Sequence, residues 1–179
     1  MITKILNVIT LSRIFCAILI YLILYLDSNY SVALFLFLIA SFSDYLDGYL
    51  ARKTNSESVL GEILDPIADK LLIVFVLIGL SINLDSFLIG FISAVIISRE
   101  IWVAALRDIN SRNNQSDKTR VTFLAKTKTA IQMLSILMYL FGLTINNMMI
   151  LFFADIILII ALLVTIQTGF QYTISTFKK

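Results

Sequence analysis

The chain has 179 residues, 59% of them hydrophobic, and a mean hydropathy of +0.94; a soluble globule averages roughly 45–50% apolar residues, so the composition points to an integral membrane protein. One cysteine and no histidine exclude a disulfide framework and zinc chemistry built on Cys and His. The net charge of +2 says little by itself, and the information lies in where the charges fall.

Apolar segments run at 7–26, 31–51, 61–80, 86–107, 122–143 and 148–169, each close to the ~20 residues that carry a helix across ~30 Å of hydrocarbon. The runs are continuous rather than alternating, which predicts helices and not strands. The first segment, with Cys16 inside it, leads straight into a second of membrane grade without a small-residue cleavage site, so it reads as a span and not a signal peptide. The connections DSNY, SINLD and TINN are short, and DINSRNNQSDKTR is the one long polar loop. No repeat or soluble domain is evident, and a single membrane domain over 1–179 is expected. All 14 Lys and Arg residues fall toward one side, while the opposite turns carry only Asp27 and Asp85. By the positive-inside rule six transmembrane helices with both termini cytoplasmic are expected.

The uncharged runs of the first four segments are short, at 14–26, 28–43, 71–84 and 86–98. None reaches the ~20 residues of a full span, so each helix carries its charges below the cytoplasmic surface. Ionisable groups at that depth face a wet cavity, a partner or a metal. Four helices doing so at one end predict a shared polar cavity at the cytoplasmic end of an all-α bundle. Segments five and six, where Asp155 is the only charge from 129 to 177, read as packing walls.

The sharpest feature is DYLDGYLAR at 44–52 followed by GEILDPIAD at 61–69. At 100° per residue, Asp44, Asp47, Gly48, Ala51 and Arg52 share an arc of about 140°, and Gly61, Asp65 and Asp69 one of about 80°. Segment two descends to the cytoplasm and segment three leaves it, so the two carboxylate faces can meet. Four facing aspartates repel unless something lies between them. An all-oxygen cluster suits Mg²⁺, Mn²⁺ or Ca²⁺, and two such ions could clamp a diphosphate. Gly48, Ala51 and Gly61 leave room for a ligand against the backbone, and Arg52 can reach a phosphate. Pro66 falls in the first turns of segment three, where a proline costs little.

The pattern Asp44-x2-Asp47-Gly48-x2-Ala51-Arg52-x8-Gly61-x3-Asp65-x3-Asp69 resembles the signature of the CDP-alcohol phosphatidyltransferase family at every fixed position and gap. The resemblance implies a six-helix membrane enzyme, usually a homodimer, that joins an alcohol to the phosphatidyl group of a CDP-lipid. It implies that Asp44, Asp47, Asp65 and Asp69 hold two divalent cations, Mg²⁺ or Mn²⁺, and that Gly48, Ala51, Arg52 and Gly61 form the CDP-lipid floor. It also implies that Asp69 is the general base, and a bacterial cell membrane is the expected location. NVITLSR, REIWVAALRD and AKTKTAIQM look like the phosphatidylglycerophosphate synthase branch, whose substrates are CDP-diacylglycerol and glycerol 3-phosphate.

The residues agree with such an acceptor. Arg99 lies about 12 Å inside segment four at 1.5 Å per residue, near the depth of Asp44 and Asp69, and Arg107, Lys126 and Lys128 are expected to ring the cavity mouth. A cationic pocket suits an acceptor that carries its own phosphate; serine or choline would need none. Blander roles compete: Gly48, Ala51 and Gly61 as helix-packing residues, Arg107, Lys126 and Lys128 as topology anchors, and Arg99 as half of a structural ion pair. Arg13 is ambiguous, Lys53 reads as an anchor, Lys70 points ~100° from Asp69 and reads as snorkelling or structural, and Asp155 has no evident partner. The alternatives are the same chemistry on inositol phosphate, serine or a second lipid, and, remotely, a divalent-cation transporter. The outer halves of the segments are nearly uncharged, which argues against a transport path, and a non-catalytic scaffold leaves the aspartate spacing unexplained.

Overall fold

The computed structural model describes residues 2–54, 59–113 and 123–178; for 2–6, 44–54, 59, 60, 62, 63 and 123–126 the backbone alone is described. These residues form six helices: α1 (Ile2–Leu26), α2 (Tyr30–Thr54), α3 (Val59–Asn83), α4 (Phe87–Arg112), α5 (Phe123–Thr144) and α6 (Met148–Phe177). Among the described residues α1 from Asn7 to Leu26, α4 and α6 are long and apolar enough to cross a membrane.

The helices outrun the apolar segments at the charged end: α1 begins at Ile2 rather than at 7, and α6 continues to Phe177 rather than stopping at 169. Hydropathy falls at Lys4 in α1 and along the uncharged but polar stretch 171–176 of α6, and the backbone ladder continues through both because Lys and Gln are good helix formers and single Ser and Thr residues are tolerated. One consequence corrects the reading of Pro66. With α3 starting at Val59, the proline lies inside the helix, past the first turn, and removes one backbone donor from the ladder.

Packing runs in a closed ring, α1 against α2, α2 against α5, α5 against α6, α6 against α4, α4 against α3 and α3 back against α1, with α3 also touching α5. The interior is aliphatic, built from residues such as Ile20, Leu24, Leu72, Leu77, Ile92, Ile96, Ile136 and Leu140. Close approach of α1 and α3 depends on Gly79, where a Cβ would lie 3.1 Å from Leu24 Cδ1. Large apolar side chains such as Phe15, Phe35, Phe87, Met148 and Phe170 face outward, the inverse of a soluble surface and the expected face toward lipid.

The three short turns lie together at one end. Each turns on a residue in the left-handed region, Ser28, Asp85 and Asn146, with φ of 51°, 47° and 52°; Asp and Asn tolerate this geometry through local hydrogen bonding. Ser86 N–H reaches back to Ser81 O and Asn147 N–H to Gly142 O, both at 2.9 Å, closing the ends of α3 and α5 as Schellman turns. Asn83 ties the first two turns together, donating from Nδ2 to Leu24 O at 2.8 Å and Ser28 Oγ at 2.7 Å, and accepting from Tyr30 Oη at 3.0 Å.

Candidate active site

At the opposite end, α1 and α3 run side by side in the same direction, and their polar residues pair in register. Thr10 donates to Asp65 Oδ1 at 2.7 Å, and Arg13 Nη1 meets Asp69 Oδ1 at 2.8 Å. The Arg13 side chain is fully enclosed. A buried arginine is stable only with its charge matched, so α1 supplies the pairing that aims the Asp69 carboxylate. Gly61, Asp65 and Asp69 follow one another along one stripe of α3, as their four-residue spacing requires.

A second constellation forms between α4 and α5. Glu100 accepts from Arg99 Nη1 at 2.9 Å through the same carboxylate oxygen that Lys128 contacts, and Lys70 lies 3.5 Å from the other oxygen. Arg99 also donates through Nη2 to Thr168 Oγ1 of α6 at 2.9 Å, and Gln132 donates to Thr165 Oγ1 at 3.1 Å. The Arg99 and Arg107 guanidinium carbons stand 5.6 and 5.5 Å from the centroid of the Tyr172 ring.

A cavity of about 390 Å³ joins the two constellations. Asp69, Lys70 and Pro66 line it from α3, Arg99, Glu100 and Arg107 from α4, and Lys128 and Gln132 from α5. Among its lining residues the cations Lys70, Arg99, Arg107 and Lys128 outnumber the carboxylates Asp69 and Glu100. The chamber therefore favours an anion, with a carboxylate able to accept a proton in the same space.

The structure thus brings together Asp69, Arg99, Arg107 and Lys128, four residues singled out in the sequence. It corrects three expectations. Lys128 does not stand at a cavity mouth but is buried against Glu100, because the carboxylate draws it inward. Helix α5 is not a mere wall, since Lys128 and Gln132 line the cavity, while α6 lines none of it and meets Arg99 through Thr168 and Tyr172. Asp155 has a partner: Tyr139 Oη of α5 donates to it. Arg99 makes its ion pair with Glu100 itself, and Lys70 lies 3.5 Å from the other oxygen of that carboxylate while lining the cavity. The side chains of Asp44, Asp47, Gly48, Ala51, Arg52 and Lys126 lie outside the described residues; their backbones belong to α2 and α5.

Sequence reasoning missed Thr10, Glu100 and Tyr172 and left Arg13 undecided. A signal existed for Arg13, a cation inside a membrane-grade run that demands a buried counter-charge. Another existed for Glu100, an acid beside Arg99 at the same depth. Asp65 and Asp69 offer carboxylate oxygens of the hard type that Mg²⁺ or Mn²⁺ takes, and the all-oxygen donor set fits a divalent cation. No group of three or more potential ligands is assembled among the described residues.

The chain is similar over most of its length to proteins of known name. A CDP-diacylglycerol–glycerol-3-phosphate 3-phosphatidyltransferase of Rickettsia bellii (strain RML369-C) is 38% identical over 169 residues, 93% of this chain and 91% of its own. The Haemophilus influenzae (strain ATCC 51907 / DSM 11121 / KW20 / Rd) protein of that name is 36% identical over 149 residues, 82% of this chain and 78% of its own. The one from Escherichia coli (strain K12) is 33% identical over 135 residues, 73% of this chain and 74% of its own. The family model described as CDP-alcohol phosphatidyltransferase, a family that is generally divalent-metal dependent, matches residues 4–167. With its six-helix membrane architecture and its carboxylate–cation chamber, the chain belongs to the CDP-alcohol phosphatidyltransferase family.

Proposed function

We propose that this protein transfers the phosphatidyl group of CDP-diacylglycerol to glycerol 3-phosphate, giving phosphatidylglycerophosphate and CMP. The observation that carries the reading is the chamber in which Asp69 and the cations Lys70, Arg99, Arg107 and Lys128 face one another; the relatives' names point to the same substrates. The chain works as a single domain of six transmembrane helices in a bacterial cell membrane, with both termini and the chamber on the cytoplasmic side and, as the family resemblance implies, as a homodimer.

In this mechanism the acceptor's phosphate is held by Arg99, Arg107, Lys126 and Lys128, which leaves its terminal hydroxyl toward Asp69. Arg13 fixes the Asp69 carboxylate in place, and that carboxylate takes the hydroxyl proton. The hydroxyl oxygen bonds to the phosphorus that carries diacylglycerol, and the bond from that phosphorus to the bridging oxygen breaks, releasing CMP. Gly48, Ala51 and Gly61 give the cytidine diphosphate room against α2 and α3, and Arg52 pairs with its departing phosphate. Two Mg²⁺ or Mn²⁺ ions on Asp44, Asp47, Asp65 and Asp69 would neutralise the diphosphate and the charge developing on the leaving group.

The test is CMP release by purified protein in detergent with CDP-diacylglycerol and Mg²⁺ or Mn²⁺. Release is expected with glycerol 3-phosphate and not with serine or inositol phosphate, and it is expected to stop on chelation and return with added metal. Equal release with serine would overturn the acceptor, and release in excess chelator would overturn the metal requirement.

A further inference from the structure

The last turns of α6 lie along α4 as a splint. Arg99 donates to Thr168, Trp102 Nε1 to Thr173 Oγ1 and Asn110 Nδ2 to Thr176 Oγ1, each at 2.9 Å. Thr165, Thr168, Gly169, Tyr172, Thr173 and Thr176 form a single stripe at three- and four-residue intervals, the spacing of one helix face. Gly169 lets the splint close on Arg99, since a Cβ there would lie 3.1 Å from Arg99 Cγ. Beyond it the buried Tyr172 ring, 3% exposed, stands within 5.6 Å of the Arg99 guanidinium carbon and 5.5 Å of that of Arg107. Both distances fall inside the ~6 Å range of a cation–π contact, which strengthens when the ring is desolvated.

The chemistry of this contact differs from that of the ion pair to Glu100. A carboxylate steadies a guanidinium by cancelling its charge, and its oxygens occupy the donors. An aromatic face steadies a guanidinium through the ring quadrupole and leaves the charge and the in-plane N–H groups available. Arg99 Nε is buried without a hydrogen-bond partner among the described residues. Two arginines held by one neutral ring are pre-aimed for an oxyanion with more than one charge, and holding them in advance lowers the ordering cost of binding.

We propose that Tyr172 is a positioning residue for the acceptor: its ring holds Arg99 and Arg107 so that both grip the acceptor's phosphate. The inference rests on the reading of the cavity as the chamber for a phosphate-bearing acceptor. Tyr172 touches no reacting atom, so it sets the acceptor's KM and leaves that of the CDP-lipid alone.

The experiment is steady-state CMP release by the full chain in detergent, with glycerol 3-phosphate varied at saturating CDP-diacylglycerol and the converse. Tyr172→Leu is expected to raise the KM for glycerol 3-phosphate about thirtyfold, the size of one desolvated cation–π contact, with the KM for CDP-diacylglycerol unchanged. Tyr172→Phe and Tyr172→Trp are expected to stay near the wild-type value because the ring survives. A series of increasingly fluorinated phenylalanines at 172 keeps the shape and drains the ring's electron density, and the same KM is expected to climb with each fluorine. This series decides the matter even if Tyr172→Leu does not fold. A flat series, or a rise in Tyr172→Phe as large as in Tyr172→Leu, overturns the positioning role. If the wild type fails to use glycerol 3-phosphate, or if Arg99→Ala leaves its KM unchanged, the acceptor reading falls and the inference with it. A flat fluorine series beside a strong Arg99→Ala effect overturns the inference alone.

Discussion

At the end with the short turns, Asn83 joins Leu24, Ser28 and Tyr30 in a set of neutral hydrogen bonds, and the Schellman turns close the backbone around it. At the other end Glu100 draws Arg99, Lys128 and Lys70 onto one carboxylate, and Arg107 adds further positive charge to the same chamber. The first arrangement matches donors to acceptors and leaves nothing for a ligand. The second keeps an excess of one sign in a partly dry space, with α1 contacting Asp69 and α6 contacting Arg99 and Arg107. In the proposed reading, one end of the helices is purely structural and the opposite end binds the substrates.

The contrast can be broken from either side, and the largest effect is expected at Asp69. Asp69→Asn should cut CMP release by about 10³-fold, within the range for a general base, while the purified protein stays monodisperse; full activity would remove Asp69 from the chemistry. Glu100→Gln comes next, because it strips the partner from the buried Lys128. Loss of one member of such a pair costs about 3 kcal/mol, so thermal unfolding in detergent should come earlier and the KM for glycerol 3-phosphate should rise together with it. A variant that unfolds earlier with unaltered acceptor kinetics would make the cluster structural only.

Asn83→Ala tests the quiet end. It should cost about 2 kcal/mol for the lost bonds and lower the melting midpoint by roughly 4–8 °C for a chain of this size, with kcat and both KM values unchanged. A kinetic change there would show that the ends are coupled. Tyr139→Phe is the smallest, removing one donor to Asp155 at about 1 kcal/mol; its midpoint should fall by a few degrees without a kinetic effect.

Much of the charged end was legible in the sequence. Asp65 and Asp69 one turn apart, and Arg99 at matching depth, follow from helical geometry and the price of burying charge, so the shared chamber could be expected. The partners were not legible. Arg13 meets Asp69 across 56 positions and Arg99 meets Thr168 across 69, and periodicity within one helix carries no record of which neighbour stands opposite. Tyr172 was hidden for a related reason: the apolar pattern of α6 fades at 169 while the helix, and with it the stripe facing α4, runs on to Phe177. Asp155 looked orphaned because Tyr139 lies on another helix.

The ring order of the helices has a consequence for how the protein is made. Of the two helices that α4 packs along, α3 precedes it in the chain and α6 emerges two helices later. During synthesis Arg99 and Glu100 therefore enter the membrane before Lys128, Thr168 and Tyr172 exist to receive them. The proposed chamber therefore gains its Thr168 and Tyr172 contacts only after α6 has packed against α4.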